Sequence, residues 1–267
     1  MLRGMKLSGR TVLVTGATGG IGHAIARRLR AEGARLVLTG RRTDVLEPLA
    51  AELGGTAVAC DLADPQAVQA LVDAHPDVDA VVANAALPAS GPLLDFTPEQ
   101  VDRALQVNLR APIALAHAYA PKMIARGSGH LVFISSLAGK TATPGSSLYS
   151  ASKFGMRGFA QGLRGDLHAH GVGVSTVFPG FIRDAGMFAD SGAVLPKGVG
   201  SATPQDVAAA VVKAIVHDRA EIDVAPLSLR LGAAFAQVAP QLSATVSRRL
   251  GADRISADIA AGQSDKR

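Results

Sequence analysis

The 267-residue chain is 48% hydrophobic and 18% charged, with one cysteine, no tryptophan and a formal net charge of +5. That length suits one large α/β domain, and the composition excludes extensive disorder, an internal disulfide and a cysteine-rich metal site. The positive charge admits an anionic ligand, but no arginine stripe interleaved with aromatics supports nucleic-acid binding.

Met1 to Arg10 is basic without the apolar run of a signal peptide, and no stretch reaches the 18 apolar residues of a membrane span. These features, with Cys60 read as a small buried side chain, point to the cytoplasm. Thr11-Val12-Leu13-Val14 predicts a strand that breaks at Thr15-Gly16 and passes through Ala17-Thr18-Gly19-Gly20-Ile21-Gly22 into a helix with Ile21, Ile25 and Leu29 on one face. Such a turn lets a pyrophosphate approach the backbone and meet a helix amino terminus, although a flexible glycine loop would share the composition.

Leu36-Val37-Leu38-Thr39 ends in Gly40-Arg41-Arg42, where a ribose diol would call for a carboxylate. Guanidinium groups suit a 2′-phosphate, so NADP(H) is favoured over NAD(H), mainly through Arg41; the duller alternative has one or both arginines facing water. Asp61, followed by Leu62, can accept from an adenine amino group or cap the helix that begins near Pro65. Val78–Ala83 predicts a strand delivering Asn84-Ala85-Ala86, and Asn84 is expected to stabilise that turn. Further strands precede Ser135-Ser136 and Pro179-Gly180, and helical periodicity occupies 66–74, 98–126 and 152–169. The sum is an α/β, doubly wound three-layer sandwich with a mostly parallel sheet of about seven strands. Gly16, Arg41, Asn84, Ser136 and Pro179 all map to the carboxyl ends of its strands, where such sheets bind ligands.

Tyr149 and Lys153 stand four apart, so on a helix both rise from one face. A neighbouring ammonium favours the phenolate, and Ser136 can donate to a substrate oxygen whose charge changes. A Tyr-x-x-x-Lys spacing alone is common by chance. With Thr15-Gly16-x-x-x-Gly20-Ile21-Gly22, Asp61, Asn84-Ala85-Ala86, Asn108, Ile134-Ser135-Ser136 and Pro179-Gly180, however, the chain resembles the short-chain dehydrogenase/reductase family over roughly residues 7–225.

The resemblance implies a Rossmann-like catalytic domain over 7–225 and a tetrad of Asn108, Ser136, Tyr149 and Lys153. Tyr149 would exchange the proton, Ser136 steady the oxygen, Lys153 hold the nicotinamide ribose, and Asn108 hold a water linking Lys153 to solvent. The implied cofactor set is Gly16, Thr18, Gly20, Ile21, Gly22, Arg41, Arg42, Asp61, Leu62, Asn84, Ala85, Ala86, Tyr149, Lys153, Pro179, Gly180 and Ile182, with no metal. Two residues depart from the family pattern: Ala86 replaces a usual glycine, and Asp184 stands where a threonine often meets the nicotinamide amide, beside Arg183 as a local ion-pair partner.

Residues 183–203 read as a substrate lid, mobile through its glycines and apolar through Met187, Phe188, Val194 and Leu195; a variable surface loop is the plainer reading. A hydrophobic aldehyde or ketone and its alcohol are the expected substrates. Some relatives run epimerase, dehydratase or lyase chemistry, and a non-enzymatic NADP sensor is a further alternative; the intact Ser136, Tyr149 and Lys153 set argues against both. The 226–267 segment is expected to be a helical extension. Its stripe of Leu227, Leu229, Leu231, Phe235, Val238, Leu242, Val246 and Leu250 can face a neighbouring subunit, the substrate mouth or a membrane surface. The resemblance implies a homodimer or homotetramer.

Overall fold

Short runs rich in valine, isoleucine and leucine make strands that bury both faces, and burial on both faces is what an all-parallel sheet provides. The computed structural model describes residues 4–195, 198–249 and 252–263. Its strands are β1 (Thr11–Thr15), β2 (Arg35–Gly40), β3 (Thr56–Ala59), β4 (Ala80–Ala83), β5 (Gly129–Ile134), β6 (Val172–Pro179) and β7 (Glu221–Val224). They form one sheet in the order β3-β2-β1-β4-β5-β6-β7, with every pairing parallel. β4, β5 and β6 are buried throughout. β7 is the strand whose residues were not read as such, since Glu221 and Asp223 interrupt its apolar pattern.

Helices cover both faces. α1 (Gly20–Ala31), α2 (Thr43–Leu53) and α7 (Pro204–His217) pack over one core through Ile25, Leu29, Leu46, Val207 and Val211. α3 (Pro65–Ala74), α5 (Ala111–Arg126) and α6 (Ser147–His168) cover the other through Leu71, Leu115, Tyr119 and Met156. The expected continuous helix over 98–126 is divided. α4 (Pro98–Leu105) runs into a π turn at Gln106–Arg110 before α5 begins. Pro112 has no N–H to give the Asn108 carbonyl four residues back, so the regular ladder cannot continue through this point.

Beyond β7 the chain forms α8 (Leu227–Val238), α9 (Pro240–Arg249) and α10 (Ala252–Ala261). The apolar stripe read from the sequence is split. Ala233 and Ala236 are buried and Leu229 packs toward Gly180, while Leu227, Leu231, Phe235, Val238, Leu242 and Val246 are exposed. Helical geometry separates the two sets, because positions 229, 233 and 236 share one face and 227, 231, 235 and 238 another. Leu250 lies outside the described residues, as do Pro196 and Lys197 of the 183–203 segment. No helix among the described residues is long and apolar enough to cross a membrane.

At the amino-terminal edge of the strands, His130 on β5 is 2% exposed and its Nε2 lies 2.8 Å from Ser175 Oγ on β6. Arg164 of α6 holds Asp218 through two bonds of 2.7 and 2.8 Å, beside a cavity of about 260 Å³ lined in part by His130 and Asp218. Burial pushes His130 down to about 4, with Asp218 opposing the shift. The unfolded chain therefore binds a proton between about pH 6.5 and 4 that the folded chain refuses. Stability is full above pH 6.5 and falls as the pH drops toward 4, by about 3 kcal/mol from this residue. Urea unfolding of wild type and His130→Asn at pH 7.5 and 4.5 checks this: the difference between the two pH values should shrink in the variant.

Candidate active site

The carboxyl ends of β1, β4, β5 and β6 converge on one crevice. After β1 the chain turns at Gly16, whose φ of +65° and approach to the Ala85 Cα (2.7 Å from a hypothetical Cβ) exclude a side chain. A Cβ on Gly22 would overlap the Gly16 carbonyl, so the first turn of α1 rests directly on the loop. Gly19 at the N-cap offers no side-chain acceptor, and the first turn of α1 holds no acidic residue. Backbone N–H groups are thus presented without a competing carboxylate, which suits a pyrophosphate. Thr18 packs against Gly40, and Ile21 and Gly20 meet Gly186 and Ala185 of the 183–203 segment.

At the end of β2, Arg41 is exposed and Arg42 donates to the Thr18 carbonyl, bracing the glycine turn. Asp61 takes a different position from the capping role open to it in the sequence. Asp64 is the N-cap of α3, accepting from Gln66 N. Asp61 instead accepts from Ala63 N at 3.0 Å and from Arg103 at 3.2 Å. Burial opposes its ionisation, but the Ala63 amide and the Arg103 and Arg41 guanidiniums hold the carboxyl below its ordinary range. The Leu62 side chain is buried in the core, leaving its backbone as the part able to face a ligand. Arg103 is a residue missed in the sequence, where its helix bore no visible relation to the end of β3.

Asn84 pins β4 to β1. Its Nδ2 donates to the carbonyls of Thr15 (3.1 Å) and Gly16 (3.2 Å), while Thr15 Oγ1 accepts from the amides of Asn84 and Ala85. Three residues on, past Ala86, Leu87 is gripped by Asn108. The Asn108 Oδ1 accepts from Leu87 N at 2.6 Å and its Nδ2 donates to Leu87 O at 2.9 Å. Both ends of the Asn108 amide thus serve the backbone of residue 87, a contact the sequence reading did not anticipate.

Ser136 ends β5 with its hydroxyl accepting from Ala138 N (3.2 Å) and donating to the Pro179 carbonyl (3.4 Å). Tyr149 and Lys153 rise from the first turns of α6, with Lys153 Nζ 5.5 Å from the Tyr149 ring centroid. Lys153 is 3% exposed and donates to the Ile134 carbonyl at 3.1 Å. Burial pushes the Tyr149 phenol up to about 12, the Ser136 hydroxyl partly opposing it, and pushes Lys153 down to about 8. Burial thus acts against the lowering expected from the ammonium neighbour.

After β6, Pro179-Gly180 leads to an isolated bridge between Ile182 and Ala202. The bridge uses the Phe181 carbonyl and the Arg183 amide, so the N–H and C=O of Ile182 take no part in it. Asp184 adopts φ +70° and lies 3.5 Å from Arg183, the local pair anticipated for it. A second missed group is Lys140, which closes the Ser136 turn. Its buried ammonium reaches Asp223 at 2.6 Å and Glu221 at 3.0 Å and sits over the Phe178 ring. The two carboxylates that obscured β7 in the sequence are these partners.

A family profile described as short chain dehydrogenase matches residues 10–194. The ketoacyl reductase HetN of Nostoc sp. is 36% identical over 82% of this chain and 79% of that protein. A dehydrogenase/reductase SDR family protein 7-like of Anopheles gambiae is 33% identical over 88% of this chain and 81% of that protein. Among solved structures, a metagenomic short-chain oxidoreductase in complex with NADP superposes with a TM-score of 0.68 at 36% identity, covering 83% of this chain and 97% of that one. A short-chain dehydrogenase from Sphingobium yanoikuyae in complex with NADPH gives 0.76 at 28% identity, covering 88% and 95%. With the seven-stranded parallel sheet and the groups gathered at its carboxyl edge, these likenesses show that the chain belongs to the short-chain dehydrogenase/reductase family of NAD(P)-dependent oxidoreductases.

Proposed function

We propose that this protein interconverts a hydrophobic aldehyde or ketone and its alcohol with NADP(H), Tyr149 exchanging the proton at the substrate oxygen. The observation that carries the reading is the meeting of Ser136, Tyr149 and buried Lys153 at the strand edge that also presents the uncapped glycine turn. Cofactor fit is supported by the uncapped glycine turn ahead of α1, which presents backbone N–H groups without a competing carboxylate, and by Arg41 and Arg42 at the end of β2. The two neighbours that hold NADP and NADPH agree with this choice. When bound, the dihydronicotinamide supplies a hydride to the carbonyl carbon.

The residues supply the rest. As negative charge develops on the carbonyl oxygen, the Ser136 hydroxyl donates a hydrogen bond to it and the Tyr149 phenol transfers its proton, giving the neutral alcohol. Lys153 faces the resulting phenolate with an ammonium, and a water held at Asn108 is the route by which the proton is restored. Asn84 and Thr15 keep the floor of the crevice in register, and Ile182 offers its N–H and C=O to a carboxamide.

Tyr149→Phe should lower carbonyl reduction by about 10²- to 10⁴-fold while NADPH affinity, read by fluorescence titration, stays near wild type; turnover close to wild type would remove Tyr149 from this role. In the reverse direction Tyr149 must accept a proton, so kcat/KM for alcohol oxidation should keep rising with pH toward the value of about 12 to which burial pushes its phenol. Lys153→Met should move that rise to higher pH by withdrawing the ammonium, and a pH profile that does not move excludes the coupling. Arg41→Ala should weaken NADPH about tenfold more than NADH; equal weakening argues against a 2′-phosphate contact at this residue.

A further inference from the structure

The carboxyl-terminal segment ends against the lid. α10 packs on the single helical turn Ala189–Ser191, and Gln263, just beyond the helix, is 2% exposed. Its Nε2 donates to the Met187 carbonyl at 2.9 Å. A Cβ on Gly262 would overlap the Ser191 carbonyl, so the two backbones approach too closely for a side chain between them. On the opposite side Ser256 donates to Thr143 Oγ1 at 3.4 Å and lies against Gly145. Thr143 and Gly145 belong to the loop that joins the Ser136 turn to Tyr149. The lid itself meets the glycine turn through Ala185 and Gly186, and Phe188 packs on Phe181, next to Gly180, at 5.0 Å between ring centroids. Residues 256–263 thus connect two walls of the crevice, the lid and the Tyr149 loop.

One atom of this connection is unused. Gln263 Oε1 is buried and has no hydrogen-bond partner among the described residues. It belongs to the same planar amide whose nitrogen donates to the Met187 carbonyl, and therefore lies beside the 183–203 segment. A buried acceptor left unpaired carries its full desolvation penalty, and a ligand donor removes it.

We propose that α10 and Gln263 form a wall of the substrate cleft, and that Gln263 Oε1 accepts a hydrogen bond from a hydroxyl or amide N–H on the substrate, remote from its carbonyl. Gln263 is then a specificity-determining residue, and the substrate class narrows to largely apolar carbonyl compounds bearing one such donor. The substrate half of this inference rests on the proposed carbonyl reduction; the packing of Gln263 on the lid does not.

The test compares wild type with Gln263→Met, which keeps the side-chain length and removes both polar atoms. Ketone pairs differing by one remote hydroxyl are assayed with NADPH, and hydrogen exchange is followed over residues 185–195 in the NADPH-bound protein. Wild type should favour the hydroxylated member by about tenfold in kcat/KM, mainly through KM, and the variant should lose that preference while its NADPH affinity is unchanged. Exchange near Met187–Ser191 should quicken in the variant. The same ratio in both proteins overturns the hydroxyl contact. If wild type reduces no ketone, the proposed reaction fails on its own, and the exchange measurement decides the wall: faster exchange in Gln263→Met upholds it, and unchanged exchange overturns it.

Discussion

The join between β1 and β4 is the constraint on which the crevice depends. In the order β3-β2-β1-β4-β5-β6-β7 the chain leaves β1 toward one edge and returns at β4 to build the other, so the two strands part at their carboxyl ends. Thr15 and Asn84 hold that point together with four hydrogen bonds of 3.1–3.2 Å. These bonds satisfy backbone groups that the opening would otherwise leave buried and unpaired. The glycine turn stands on one side of the join and the loop gripped by Asn108 on the other, so both cofactor and catalytic positions take their register from it.

Electrostatics in the site follow from burial. Lys153 is enclosed with a backbone carbonyl as its hydrogen-bond partner, and Tyr149 is a neutral phenol under the same desolvation. In the proposed reaction the ammonium–phenolate attraction arises only as charge develops, where it lowers the barrier rather than the energy of the resting state. The Lys140 ammonium, also buried, behaves differently because Glu221 and Asp223 reach it directly. It serves the turn that aims Ser136 and ties that turn to β7.

The legible parts of the sequence were those governed by local chemistry. Thr11–Val14 announced a buried strand, Gly16 and Gly22 a turn too close for side chains, and the four-residue spacing of Tyr149 and Lys153 a shared helix face. The illegible parts required partners distant in the chain. Asp61 was read against the nearby Pro65 helix, but its partner Arg103 arrives from 42 residues away. The helix over 98–126 was read as continuous because its periodicity is, although Pro112 withdraws a ladder bond and the π turn accommodates the loss. β7 was obscured because its two carboxylates made sense only once Lys140 stood beside them.

By itself, the order of motifs determined the family and the layered parallel fold, since strand burial, tight turns and helix spacing act over a few residues. Tertiary structure decided how burial shifts Tyr149 and Lys153, which face of α8 is buried, and that the chain returns at Gln263 to the 183–203 segment. Those depend on desolvation and on contacts across tens of residues, which residue spacing along the chain does not encode.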